Sequence, residues 1–192
     1  MPSSKNNIPG LSLLSEWISA ESSENLLALI DNQHWRDDLR RRVQHYGFRY
    51  DYRARVVTRE MDLGPLPEWL VGLAVQVGAV AGFERRPDQI IINEYLPGQG
   101  ISPHVDCRPC FGPTIASLSF GGSADIVFQK QGQPKKRTVR LDPRSLLVMT
   151  GSARQDWRHS IPARKNDLID GVRVPRTRRV SLTFRTVKLK SV

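Results

Sequence analysis

Two cysteines, Cys107 and Cys110, are all that this 192-residue chain contains, too few for the disulfide framework of a small secreted domain. Long apolar runs are also missing, because each hydrophobic stretch is soon broken by Gly, Pro or charge, and none reaches membrane-spanning length. The opening Met-Pro-Ser-Ser-Lys-Asn-Asn lacks the apolar core of a signal peptide, so a cytoplasmic protein without membrane attachment is expected. No repeat period and no low-complexity tract occurs, which excludes solenoids and arrays. What is present is an ordinary 39% of apolar residues, enough at this length to bury one core. A single monomeric unit is expected.

Charge is the first positive signal. Lys and Arg number 29 against 19 Asp and Glu, a formal charge of +10. Such an excess favours polyanionic partners through attraction and counterion release, and nucleic acid is the partner expected.

The pattern along the chain divides at about residue 85. Residues 1–85 are expected to form an N-terminal helical segment and lid within the same compact unit, and residues 86–192 the core. Helices are expected over 21–30, where Leu26, Leu27, Leu29 and Ile30 make one stripe, and over 67–80, entered through Pro65 and Pro67. Residues 47–58, crowded with Tyr and Arg, look extended. Beyond them, short strands are expected over 89–96, 114–120, 125–129, 137–141, 145–150 and 179–187, separated by turn residues such as Gly121-Gly122 and Asp142-Pro143. Many short strands so spaced suggest a β-barrel or sandwich. The fold class is therefore mainly β with an N-terminal α/β segment. Residues 166–178, polar and basic, are expected as an exposed loop.

Ile101-Ser102-Pro103-His104-Val105-Asp106 sets an imidazole and a carboxylate two residues apart. In extended chain both point the same way and can reach one ion. Trp157-Arg158-His159-Ser160 supplies a third ligand beside another strand. Two His and one carboxylate form the facial triad of non-haem Fe(II) oxygenases, which leaves three octahedral positions open. His34 and His45 have no obvious partner and read as surface or packing residues. Cys107-Arg108-Pro109-Cys110 offers a rival metal or redox site, but it has no second ligand pair and no thioredoxin-like surroundings, so free thiols are expected.

Arg179-Val180-Ser181-Leu182-Thr183-Phe184-Arg185 alternates strictly. Val180, Leu182 and Phe184 take one face, and the two arginines, Ser181 and Thr183 take the other. The arginine Cα atoms lie about 20 Å apart at strand spacing, and their side chains folding inward can grip the ends of a short dicarboxylate. An Fe(II) site with open positions needs an electron-donating cosubstrate, and 2-oxoglutarate has two carboxylates. Asn93 and Tyr95 share a face of their strand and offer further donors.

With these elements in place, the chain resembles the AlkB family of Fe(II)/2-oxoglutarate dioxygenases. The resemblance rests on Asn93-Glu94-Tyr95-Leu96-Pro97-Gly98, Ile101 to Asp106, Ser117-Leu118-Ser119-Phe120-Gly121, Ser145 to Gly151, His159, and Arg179 to Arg185, all in the family's order. It implies a double-stranded β-helix (jelly-roll) core, Fe(II) as cofactor on His104, Asp106 and His159, and 2-oxoglutarate and O₂ as cosubstrates. Arg179 would bind the distal carboxylate of 2-oxoglutarate with Asn93 and Tyr95, and Arg185 the carboxylate nearer the iron. Tyr50 and Tyr52 resemble the lid aromatics that border a substrate base, and Arg49 belongs to the same stretch. Two positions depart from members acting on DNA: Ser181 stands where they typically have Asn, and Arg108 where the DNA-repair prototype has an acidic residue near the base.

The resemblance implies oxidative demethylation of alkylated bases in DNA or RNA. The base must be single-stranded or flipped out to reach such a site. The alternatives are a tRNA-modifying hydroxylase of the same family and a non-catalytic basic nucleic-acid binder on a jelly-roll scaffold. Arg36, Arg40, Arg41, Arg42, Arg53 and Arg55 interleave with the two tyrosines as a candidate grip on single strands.

Overall fold

A computed structural model describes residues 8–37 and 39–189. Two antiparallel sheets dominate it. The larger has six strands in the order β1-β8-β5-β12-β3-β2: β1 is Leu11–Leu14, β2 Val43–Tyr46, β3 Gln89–Tyr95, β5 Ile115–Gly121, β8 Leu146–Met149 and β12 Arg179–Arg185. The smaller has the order β4-β9-β6-β7, with β4 Ile101–His104, β6 Ala124–Lys130, β7 Lys136–Leu141 and β9 Trp157–Ile161. The sheets face each other as the two walls of a jelly roll. Residues 1–85 supply both outer strands of the larger sheet.

Alternation along the strands produces two cores. The outer face of the large sheet, including Ile90, Ile92, Leu118, Val180, Leu182 and Phe184, packs on helices α1 (Ala20–Asp31) and α2 (Glu68–Ala81). Between the sheets, Ile115, Leu147 and Met149 meet Ile126, Phe128, Leu141 and Trp157. The helices start and stop as expected from capping chemistry. Ser19 Oγ accepts the Ser22 amide at 3.0 Å, and Gly82 closes α2 in the left-handed region at φ 69°.

The structure corrects three expectations. Residues 166–178 are not an unpaired loop, because β10 (Asn166–Ile169) and β11 (Val172–Pro175) form a hairpin. Its turn is Asp170-Gly171, both at positive φ, the pairing that a two-residue hairpin demands; the polar composition hides it. Residues 47–58 are not extended. Gly47 turns at φ 75°, where a Cβ would sit 1.8 Å from the Asp88 carbonyl oxygen. Asp51 then folds the chain back by accepting the Arg53 and Ala54 amides, each at 2.8 Å. Finally, Cys107 and Cys110 are not free thiols but a disulfide. The turn between them brings their Cα atoms to 5.2 Å, within bridging range, and encloses them with Phe111 and Val187.

Candidate active site

β4 and β9 lie antiparallel with His104 directly opposite His159. The pairing register slips between Ile101 and His104, and the chain leaves the strand at once, so Asp106 swings in from the following loop. Ligand atoms of His104, Asp106 and His159 lie within 4.8 Å of one another. Asp106 Oδ2 is 3.4 Å from His159 Nε2, and the two imidazole centroids are 4.4 Å apart.

Two members of this triad are held by neighbouring groups. His104 Nδ1 is 2.8 Å from the Ser102 carbonyl, which leaves Nε2 free to face inward. Arg185 Nη2 donates to Asp106 Oδ1 at 2.6 Å. Burial alone would raise the Asp106 pKa, but Arg185, His159, His104 and Arg154 outweigh it and hold the carboxyl well below its usual range. Burial pushes His159 down to about 4 against the opposing pull of Asp106. At neutral pH His159 is therefore a neutral imidazole and Asp106 a carboxylate, the states that ligation requires of each.

The triad opens into a cavity of about 610 Å³ between the sheets. The polar face of β12 lines it with Arg179, Ser181, Thr183 and Arg185, and Asn93 and Tyr95 join them from β3. Arg179 is 2% exposed and donates to Ser119 Oγ at 2.9 Å, with its guanidinium 5.5 Å from the Tyr95 ring centre. Its Nε and Nη1 atoms, and Nε of Arg185, are buried without a hydrogen-bond partner. No carboxylate among the described residues pairs with Arg179, and burial pushes its guanidinium down to about 10. A buried cation with idle donors costs free energy unless an anion fills the space. The donor set thus fits a carboxylate-bearing ligand at Arg179, and the triad fits a divalent metal.

Tyr50 and Tyr52 also border the cavity, with ring centres 5.0 Å apart and edge to face. Arg49 and Arg108 do not. Arg49 lines a smaller cavity of about 300 Å³ behind the two tyrosines, together with Arg53 and His45. Arg108 is exposed on a groove outside the metal loop, and its guanidinium donates to the Gln155 carbonyl. His45 meets Tyr52 Oη at 3.2 Å, a packing contact, whereas His34 is exposed.

Several contributors carry little sequence signal. Arg154, buried on the short helix α3 (Gly151–Gln155), donates to the Asp106 and Cys107 carbonyls at 3.1 and 3.2 Å and so positions the metal loop. Arg41 Nε donates to Asn93 Oδ1 at 2.9 Å and lies over the Tyr52 and Tyr95 rings at 5.7 and 5.8 Å. Ser119 stands directly opposite Ser181, a placement only strand register reveals.

Comparison with known proteins agrees with this geometry. The family model of the 2OG-Fe(II) oxygenase superfamily matches residues 10–185. Protein L905 of Acanthamoeba polyphaga mimivirus is 35% identical over 186 residues, covering 94% of this chain and 86% of its own length. The alkylated DNA repair protein ALKBH8 homolog of Arabidopsis thaliana is 35% identical over 208 residues, 96% of this chain and 60% of that one. Mouse tRNA (carboxymethyluridine(34)-5-O)-methyltransferase ALKBH8 is 37% identical over 169 residues, 84% of this chain but only 25% of that protein. Among solved structures, OsALKBH1 shares the fold with a TM-score of 0.68 at 19% identity, covering 94% of this chain and 98% of that one. A Pseudomonas putida prolyl-4-hydroxylase does so at 0.58 and 15% identity, covering 95% and 94%.

Proposed function

We propose a role for each residue of the cavity from one premise: the chain belongs to the 2OG-Fe(II) oxygenase superfamily and, within it, to the AlkB-like enzymes, which use Fe(II), 2-oxoglutarate and O₂. His104, Asp106 and His159 would hold the iron. Arg179, with Asn93 and Tyr95 beside it, would take the distal carboxylate of 2-oxoglutarate. Arg185 would serve the nearer carboxylate while it orients Asp106, and Ser181 and Ser119 would line the space between. When bound, these groups oxidise 2-oxoglutarate to succinate and CO₂ and place one oxygen atom of O₂ into a substrate C–H bond.

The substrate in this reading is a base of DNA or RNA, single-stranded or flipped out, bordered by Tyr50 and Tyr52. An N-methyl carbon hydroxylated there would be lost as formaldehyde, which makes the reaction an oxidative demethylation. Residues 1–85, which carry both tyrosines, would act as the lid over the core of residues 86–192. Arg49 and Arg108, off the main cavity, would meet flanking backbone rather than the target base. The protein's part is to orient the target carbon and exclude water. The observation that carries the reading is Arg179, a buried cation without an anionic partner in the cavity that the triad shares.

A second reading is hydroxylation of a tRNA base, for which the support is that the mouse relative, 37% identical and matched over 25% of its length, carries a tRNA-modifying name. One experiment separates these from a non-catalytic binder. Succinate formation from 2-oxoglutarate is measured with Fe(II) and ascorbate, and a panel of modified single-stranded DNA and RNA is read by mass spectrometry. Turnover stimulated by one of these oligonucleotides is expected, with loss of at least a thousandfold in Asp106→Ala (the order of a removed catalytic group). Activity retained in that variant would mean that the iron lies elsewhere. Turnover that no nucleic acid stimulates would favour a different substrate class.

A further inference from the structure

The described residues around the cavity include five arginines, Arg40, Arg41, Arg55, Arg179 and Arg185, and a single carboxylate, Asp106. Arg179 and Arg185 belong to the inner end. Arg41 lies over the Tyr52 ring and reaches inward to Asn93 and the Tyr95 ring, Arg55 reaches the Val105 carbonyl, and Arg40 lines the same cavity with Tyr50 and Tyr52. No carboxylate among the described residues forms an ion pair with these three. Arg41 and Arg55 are held by neutral groups instead. Arg41 rests on Asn93 and two aromatic rings, and Arg55 Nη2 donates to the Val105 carbonyl at 2.8 Å. Asp51, close to Arg55 in sequence, lies on the smaller cavity behind the tyrosines and is occupied by the Arg53 and Ala54 amides.

Binding of the cosubstrate and metal does not reverse this balance. A divalent cation and a dianion cancel. Asp106 cancels one charge of Arg179 and Arg185, and the other remains positive alongside Arg40, Arg41 and Arg55. A base seated between Tyr52 and the triad therefore meets a positive field from several sides. Many N-alkylated bases, among them 1-methyladenine and 3-methylcytosine, carry a full positive charge at neutral pH. Others are uncharged: 3-methyluridine bears its methyl on the same ring nitrogen as 3-methylcytosine, and N6-methyladenine on the exocyclic nitrogen. At several ångströms and an effective dielectric near 20, one like charge costs about tenfold or more in an equilibrium constant.

We infer that the cavity selects against cationic bases and takes an uncharged modified base, with Arg41 and Arg55 as the selecting residues. The inference rests on the nucleic-acid reading above and narrows it. Arg41 is the stronger selector because it is partly buried, bridges Tyr52 to Asn93 and cannot swing away without losing both contacts. Arg55 is exposed, and its charge is more screened.

The test uses the full chain with Fe(II), 2-oxoglutarate and ascorbate. Its substrates are single-stranded oligonucleotides of one sequence carrying 1-methyladenine, N6-methyladenine, 3-methylcytosine or 3-methyluridine. Product is read by mass spectrometry, and affinity for the same labelled strands by fluorescence anisotropy. Within each pair the uncharged base is expected to be preferred by about tenfold or more in kcat/KM or in affinity. Arg41→Glu should narrow or reverse that ratio, and Arg55→Glu, at an exposed side chain, should do so less and guards against misfolding of the first variant. Equal or better handling of the cationic members, or ratios unmoved by both substitutions, would overturn the inference. If no base is oxidised while the binding preference and its dependence on Arg41 hold, the proposed reaction fails and the charge selection stands. If bases are oxidised without preference, the reverse is true.

Discussion

Arg179 is a buried guanidinium with two unpartnered nitrogens in the cavity that the metal triad shares. Alternation along Arg179–Arg185 puts both arginines, Ser181 and Thr183 on one face, and that face does line the cavity. Spacing alone favours a solvated basic edge strand. Burial removes it, because β12 lies between β5 and β3 in the middle of the six-stranded sheet. A consequence follows for the free protein. Replacing a buried, uncompensated cation by an apolar side chain relieves a desolvation cost, so Arg179→Met should not lower the melting temperature without ligand. It should, however, raise the KM for 2-oxoglutarate by about 30-fold or more, the worth of a charge-assisted hydrogen-bond pair. Differential scanning fluorimetry with and without 2-oxoglutarate, alongside initial rates, checks both halves. A large loss of apo stability would show that the arginine is structural.

Among the elements, β3 does two jobs on its two faces. Asn93 and Tyr95 face the cavity, and Glu94 between them faces the helices. Glu94 is 2% exposed and accepts from Arg42 at 2.6 and 2.8 Å and from Arg178 at 2.6 Å; Arg178 in turn holds Asp31 at the end of α1. This network ties the start of β12 and the Arg41-Arg42 segment to β3. It therefore sets where Arg179 and Arg41 point. The Arg42 hydrogen bond, opposed by burial and aided by Arg178, holds the Glu94 carboxyl below its usual range. A carboxyl depressed on folding contributes stability above its unfolded pKa and loses it as pH falls through the folded value. Glu94→Gln should thus cost about 1–2 kcal/mol at neutral pH, a moderate figure because Arg42 is half exposed. The gap to the parent should close as pH drops below the ordinary glutamate value. Urea unfolding across that range measures it, and a gap that stays constant with pH would show that charge is not the cause.

At the scale of the molecule, the formal charge of +10 carries a prediction of its own. If phosphates meet the basic rim, affinity for an unmodified single-stranded oligonucleotide should fall at least tenfold between low and physiological salt, as counterion release requires. Anisotropy titrations at several salt concentrations give the slope. A flat response would assign the excess charge to solvated surface. No described helix is long and apolar enough to cross a membrane, which matches the absence of long apolar runs in the chain.

Much of this protein follows from local pattern, because local pattern is what a strand or a helix responds to. Short runs bounded by turn residues predict six of the ten strands between residues 89 and 185 to within a residue or two, and the apolar stripes predict both long helices. The spacing of His104 and Asp106 marks them as a candidate ligand pair, although Asp106 enters from the loop after β4 rather than along the strand. What needed the fold lies in positions defined by distant chain. Sheet order buries Arg179, and the slip between β4 and β9 brings Asp106 back beside His159. Arg154 reaches the metal loop from a five-residue helix, and Arg41 arrives at Asn93 from fifty-two residues away. The Asp170-Gly171 hairpin and the Cys107–Cys110 bridge show the same limit from the other side, since pairing depends on which partner the backbone brings near. Residue type and spacing determine which groups are able to bind metal and carboxylate. Tertiary packing alone decides which of them share a dry cavity, because burial and strand register are sums over contacts that no short window of sequence contains.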